Sequence, residues 1–238
     1  MYKCDLCLSE YSQFLYIGKQ PMANKYPKKE DFANEEFFDV KVYFCTHCKN
    51  IQLSPQVSRE TMFVDYYYLS SVNKALVEHY TKFAHTLKDA KFVVDIGSND
   101  GTLLKLCPDN WFRIGYDPAF PQVEGHNLLL VQRPFKASNI MGNYRPLIIF
   151  SIAMFYDLDD PHTFVNDIAK VLAPDGIWIN EFNYLGAMVK NHAYDMIGHE
   201  HLCYYRLSDM TTLAAAAGLE VVHAETNTIN GGSLRVVV

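Results

Sequence analysis

A chain of 238 residues in which 49% are hydrophobic can bury one full α/β core and carry a small appendage. Its formal charge of -6 leaves no basic surplus for gripping a phosphate backbone, which argues against a nucleic-acid partner. The first residues lack a charged-then-apolar leader pattern, and no run approaches the roughly 18 apolar residues of a spanning helix. A cytoplasmic enzyme with no membrane attachment is therefore the expectation.

The chain opens on a segment, residues 1–60, that is rich in Lys, Asn, Gln and aromatics and shows only short strand-like pieces such as 40–44. Four of its residues, Cys4, Cys7, Cys45 and Cys48, form two Cys-x-x-Cys pairs, whereas Cys107 and Cys203 stand alone further on. Each pair can present two thiolates to one Zn²⁺, and a closed all-sulfur shell leaves no position for a reacting water, so the expected metal is structural. Metal binding of this kind can fold a segment too small to fold unaided. His47 is an alternative fourth ligand, and two redox or incidental cysteine pairs are the plain alternative.

Residues 61–90 read as a helical linker with substrate-side contacts. A helix is expected over about 72–87, with Leu76, Tyr80, Phe83 and Leu87 on one stripe, after the run Tyr66-Tyr67-Tyr68 and the pair Ser70 and Ser71. Those tyrosines could floor a sugar or nucleotide site or simply pack the linker.

From residue 91 to 238, short apolar strands alternate with helices, as in a mostly parallel sheet covered on both faces. Seven strands are expected, at 92–96, 112–116, 128–131, 147–151, 176–180, 220–225 and 233–238. Asp160 and Pro161 open one helix as N-cap and first helical residue, Ser208 is expected to cap a second, and Gly218 to end it in a left-handed conformation.

The stretch from Asp95 through Gly97, Ser98, Asn99, Asp100 and Gly101 runs from a buried strand through a tight polar turn into a helix. It lacks the G-x-G-x-x-G spacing of a dinucleotide fingerprint. A cofactor with an amino acid, a sulfonium and a ribose but no phosphate welcomes carboxylates there. S-adenosylmethionine has that chemistry, and Asp117, at the tip of the second strand, can accept hydrogen bonds from both ribose hydroxyls. The fold class is then a class I methyltransferase, a Rossmann-like seven-stranded α/β sheet preceded by the zinc module. The plain alternative is that Asp95 and Asp117 merely cap neighbouring backbone.

After the fifth strand comes the cluster His199, Glu200 and His201, in which two imidazoles around a carboxylate can supply a base and its orienting group. The alternative is a satisfied polar network. Asn230-Gly231-Gly232-Ser233 opens the last strand and reads otherwise as a hairpin turn.

The order C-x-x-C, Q-P-M-A-N at 20–24, C-x-x-C, Y-x-Y-x-S-S at 66–71, D-I-G-S-N-D-G-T at 95–102, G-H-E-H-L at 198–202 and G-G-S-L-R at 231–235 resembles the zinc-containing sugar C-methyltransferases. That resemblance runs from Cys4 to the last residue. It implies proton abstraction beside the ketone of a nucleotide-linked 4-keto-deoxysugar, then attack of the enolate carbon on the sulfonium methyl. It also implies His201 as base, Glu200 and His199 as its neighbours, and Tyr66, Tyr68, Ser70 and Ser71 on the substrate side.

The chain departs from the family in three places. Gly198 stands where the family carries Tyr, and the loop holding Tyr156 and Asp157 stands where it carries His, so those two residues inherit that work. Family members also continue into a further α/β domain, so the expectation is that this domain or a second subunit of a homo-oligomer completes the substrate site, or that the site is unusually open. The rival readings are an oxygen or nitrogen methyltransferase on another small molecule and a catalytically degenerate binding module.

Overall fold

The computed structural model describes residues 3–54, 57–63, 66, 68–87, 90–140 and 144–238, so Tyr67 of the tyrosine run lies outside the described residues. In chain order the elements are β1 (Ser12–Pro21), β2 (Phe37–Phe44), β3 (Ile51–Leu53), α1 (Arg59–Met62), α2 (Lys74–Ala84), β4 (Phe92–Ile96), α3 (Thr102–Leu106), β5 (Phe112–Tyr116), β6 (Val123–Gly125), β7 (Leu128–Val131), β8 (Ile148–Ile152), α4 (Pro161–Val171), β9 (Ile177–Asn183), α5 (Leu185–Asn191), β10 (Cys203–Tyr204), α6 (Leu207–Ala216), β11 (His223–Asn227) and β12 (Ser233–Val237).

Eight strands form the main sheet in the order β11-β12-β9-β8-β4-β5-β7-β6. The five central strands are parallel, β12 and β6 run antiparallel to them at the two sides, and β11 pairs antiparallel with β12. Continuous apolar runs such as Ile148–Ile152 are what a strand buried on both faces needs. All seven strands expected from the sequence are present, joined by the three-residue β6 at one edge. The connection that carries the acidic and histidine cluster leaves this sheet altogether. Its strand β10 pairs with β3, in a second sheet of order β1-β2-β3-β10.

The main sheet is packed on both faces. On one, Phe155 is fully buried and meets Phe164, Trp178, Phe182 and Tyr205 with ring centroids 4.8–6.4 Å apart. On the other, Leu76, Tyr80 and Phe83 of α2 pack over Val93, Leu103, Leu104 and Phe150. A third core joins Val40, Val42 and Leu53 of the amino-terminal sheet to Met188, Leu202 and Tyr204. The two parts of the chain therefore share a hydrophobic core.

Helix ends follow local chemistry. The Asp160 carboxylate accepts the Thr163 N–H at 3.0 Å with Pro161 as first helical residue, and Gly218 takes φ +76° just beyond α6. Ser208 is not the cap of α6: it lies inside the first turn, and the Asp209 carboxylate instead reaches back to the Arg206 N–H at 2.8 Å. A charge-assisted acceptor one residue further in outcompetes the hydroxyl.

Phe155→Ala should remove the hub of the aromatic cluster at a cost of about 3–5 kcal/mol. Urea unfolding of the variant beside the wild type checks this, and a loss under 1 kcal/mol would show that the cluster collapses onto the gap.

Candidate active site

The cysteine module begins with two knuckles of identical backbone form. In the first, the Cys4 N–H donates to Ser9 O and the Leu8 N–H to Cys4 O; in the second, the Cys45 N–H donates to Asn50 O and the Lys49 N–H to Cys45 O. Leu8 and Lys49 both take positive φ, which turns each loop so that its two sulfurs converge. The four sulfurs lie within 4.8 Å of one another, and the facing pairs Cys4–Cys48 and Cys7–Cys45 are 3.5 Å apart. Zn–S bonds of about 2.3 Å set tetrahedral sulfurs roughly 3.8 Å apart, so this shell fits a structural zinc. The group is the four cysteines, and all four are free thiols. His47 is not in it.

The second knuckle continues directly into β3, and β3 leads to the far end of the molecule's main cavity. Cys203 pairs with Gln52, the Asn50 side chain donates to Tyr204 O at 3.1 Å, and the Arg206 guanidinium donates to Cys48 O at 2.6 Å. A cavity of about 490 Å³ runs from the turn after β4 to the segment before β10.

At one end, Gly97 and Asn99 of the turn, Asp117 with Pro118 and Ala119 after β5, and the apolar side chains Met154, Phe135 and Phe164 line the walls. Gly97 takes φ +73°, and a Cβ there would lie 2.7 Å from Met154 Cγ, so only glycine leaves this wall undistorted. The Asp117 carboxylate accepts the Asn99 N–H at 2.9 Å on one oxygen and the Ala119 N–H at 2.8 Å on the other. Each oxygen keeps a second lone pair for a ligand hydroxyl. Asp117 thus caps backbone and also faces the cavity.

Of the other predicted turn residues, Asn99 lines the cavity and braces the linker, while Asp95, Ser98, Asp100 and Gly101 serve the turn. Asp95 is 4% exposed beneath it, and burial, reinforced by the Asp117 charge, pushes its carboxyl well above the usual range. Ser98 points under the sheet against Gly115, and Gly101 is the left-handed residue that starts α3. Asn99 accepts the Ser70 N–H at 2.9 Å and donates to Tyr68 O at 3.0 Å, while Asp100 accepts the Ser71 N–H at 3.2 Å. These side chains lash the linker onto the turn, with Ser70 and Tyr68 lining the cavity and Ser71 facing outward.

At the opposite end lie Tyr66, Tyr156, Asp157, Glu200 and His201, with Asn24, Arg59, Met196 and Asn230 beside them. The His201 Nδ1–H donates to Met196 O at 2.7 Å, because a carbonyl can only accept; the neutral ring therefore carries its lone pair on Nε2. The ring packs edge-on to Tyr156 with centroids 4.5 Å apart. Burial lowers its pKa below the ordinary histidine value, and the Arg59 charge adds to this against the opposing Met196 carbonyl and Glu200 carboxylate. Glu200 accepts Asn24 Nδ2 at 2.8 Å and the Tyr66 hydroxyl at 3.1 Å. Burial and the Glu200 charge raise the Asp157 carboxyl well above its usual range, and its Oδ1 is buried with no hydrogen-bond partner among the described residues.

His199 is turned away from this group. Its Nε2 sits 3.2 Å from Phe38 O and its ring is edge-on to Phe38, so it pins the loop to β2. Asn24 belonged to a motif noticed in the sequence but had no assigned role. Arg59 and Met196 gave no signal, since neither sits in a recognisable pattern.

A Rossmann-like sheet with a glycine turn and acidic strand tip opening on one cavity, joined to a four-cysteine knuckle module, defines the class I S-adenosylmethionine-binding methyltransferase fold with a structural zinc site. A family profile described as a methyltransferase domain matches residues 68–224, more than half of the chain, and the chain belongs to that family. A second profile, described as a zinc binding domain, matches residues 4–63. C-methyltransferase NovU of Streptomyces niveus is 27% identical over 98% of this chain, which spans 60% of that protein's length. Among solved structures, 1,6-didemethyltoxoflavin-N1-methyltransferase of Burkholderia thailandensis aligns with TM-score 0.55 at 14% identity, over 81% of this chain and 96% of that one. The O-methyltransferase NcsB1 of neocarzinostatin biosynthesis aligns with TM-score 0.51 at 18% identity, over 71% and 56%. These two likenesses concern the fold alone. No described helix is long and apolar enough to cross a membrane.

Asp117→Ala should weaken S-adenosylhomocysteine binding by about 10- to 100-fold, the worth of one or two hydrogen bonds to a charged group. Calorimetric titration measures this, and an unchanged affinity would place the ribose elsewhere. Metal analysis should find one zinc per chain in protein purified without chelator, and Cys45→Ser should lose both the metal and the β3–β10 pairing, read as lost near-ultraviolet dichroism.

Proposed function

We propose that the protein is a C-methyltransferase acting on a nucleotide-linked 4-keto-deoxysugar. The observation that carries this reading is His201: an imidazole locked with its bare Nε2 and kept neutral by its surroundings, in the same cavity as the methyl-donor turn. A carbon beside a ketone becomes a nucleophile only once its proton is removed, and a base with a bare nitrogen in the donor's cavity meets that need. The likeness to a C-methyltransferase across nearly the whole chain supports the same choice.

In this reading His201 Nε2 takes the proton from the carbon beside the ketone, and the C–H electron pair becomes the enolate double bond. The Asp157 carboxyl, favoured in its neutral form, donates a hydrogen bond to the enolate oxygen. Tyr66 and Tyr68 form the side of the cavity against which the sugar ring rests, and Glu200, held by Asn24 and Tyr66, keeps a counter-charge beside the forming imidazolium. Bound S-adenosylmethionine supplies an electrophilic methyl that the enolate carbon takes, leaving the thioether. Apolar walls of Met154, Phe135 and Met196 keep water from the charges.

Two outcomes test this reading. In D₂O without methyl donor, the wild type should exchange the hydrogen beside the ketone of a 4-keto sugar nucleotide and His201→Ala should not; methylation of a hydroxyl or amine with no such exchange would favour the oxygen or nitrogen reading. Because the base must be neutral, kcat/KM should fall on an acid limb, about tenfold per unit, centred below the ordinary histidine value of 6.5. An acid limb centred above pH 7 would contradict the assignment.

A further inference from the structure

Among the described residues lining the cavity, Arg59 is the one cation, and it comes from the cysteine module rather than from the main sheet. One guanidinium nitrogen donates to Glu200 O at 3.0 Å and the other to His199 O at 3.2 Å, so the planar fork spans two consecutive carbonyls of the histidine-glutamate loop. Its Nε stands 3.5 Å from an Asp159 carboxylate oxygen, and the side chain lies against Phe63, with its centre 6.0 Å from the ring. The base of this side chain is fixed by α1, where Ser58 accepts the Thr61 N–H and Met62 is 1% exposed.

Three further links run from the same module to the same loop. Asn24 Nδ2 donates to Glu200, the Leu53 N–H donates to Leu202 O at 2.7 Å, and Phe38 O holds His199. Within this set only Arg59 grips the loop backbone at Glu200 itself while placing a full charge beside it.

We propose that Arg59 is a positioning residue: its guanidinium, carried by the metal-stapled module, bridges the carbonyls of His199 and Glu200 and holds His201 Nε2 in its working orientation. The clamp does not touch the reacting carbon. Around His201 the charged and titratable groups are Glu200 on its own loop, Tyr156 and Asp157 on the turn after β8, Tyr66 on the linker and Arg59 on α1. Arg59 is the one of these whose positive charge opposes protonation of the ring, so it also keeps the base in its neutral form. A second consequence is that metal loss disables the base through this clamp while the donor turn, built wholly on the main sheet and linker, survives.

The kinetic half of the inference rests on the proposed function; the spectroscopic half does not. Arg59→Met removes clamp and charge, and Arg59→Lys keeps the charge but cannot bridge two carbonyls. With S-adenosylhomocysteine bound, the imidazole resonance of His201, assigned by its absence in His201→Ala, is titrated by NMR. Its midpoint should move up in Arg59→Met and stay near the wild-type value in Arg59→Lys, with cofactor affinity unchanged in both. Methyl transfer to a 4-keto sugar nucleotide should fall about 100-fold in both, the scale of an ångström-level misplacement. Wild-type turnover in Arg59→Lys, or an unmoved midpoint in Arg59→Met, overturns the proposal. Should Arg59→Met fail to fold, the Arg59→Lys rate decides alone. If the wild type methylates no sugar nucleotide, the functional reading fails, and the NMR midpoint in Arg59→Met still decides whether the Arg59 charge keeps the ring neutral, an unmoved midpoint overturning the proposal.

Discussion

Antiparallel pairing of Ile51–Leu53 with Cys203–Tyr204 ties the cysteine module to the strand that follows the histidine-glutamate loop. That short ladder acts together with the Asn24, Arg59 and Phe38 contacts to hold the loop before β10 over the cavity. Two residue pairs cannot hold a strand by themselves, and the pairing persists because both sides are anchored. On one side four sulfurs converge on a single metal site next to β3; on the other, Leu202 and Tyr204 are buried in a core shared with Val40, Val42 and Leu53. The four-cysteine site is thus remote from the cavity and still tied through β3 to the segment that lines it.

This arrangement divides the cavity into two ends with different origins. The donor end is built from the carboxyl edges of β4, β5 and β8, where glycine turns and strand tips leave backbone open to a ligand. The opposite end is assembled from residues far apart in the chain: Asn24, Arg59, Tyr66, Tyr156, Asp157, Glu200 and His201. Burial there, reinforced by the Glu200 charge, favours the neutral form of Asp157. A single guanidinium and a neutral imidazole among them give the place its acid-base character, and the aromatic side chains restrict access of water.

Much of the sheet was legible in the sequence because strands buried on both faces announce themselves as apolar runs. β4, β5 and β7 fall on the expected residues. β9 runs three residues further than expected, because Glu181, Phe182 and Asn183 still pair with β12 although two of them are polar. Glu181 can be buried there because His79 and Arg235 hydrogen-bond it at 2.8 Å each. The edge strands β6 and β11 are exposed and carry little pattern: β6 is not among the expected strands, and β11, expected at 220–225, lies at His223–Asn227. Least legible was β10, a two-residue strand whose partner is some 150 positions away in the chain. The site divides in the same way: Asp117, Glu200 and His201 stand in recognisable motifs, whereas Arg59 acquires meaning only from carbonyls brought to it by the fold.

A crystal structure with S-adenosylhomocysteine and a 4-keto sugar nucleotide together tests the central claim, that one cavity presents donor and base to the same carbon. The account predicts the carbon beside the ketone at about 3–3.5 Å from His201 Nε2, with the thioether sulfur on its other side. A sugar seated outside the cavity, or a His201 ring turned away from that carbon, would contradict it.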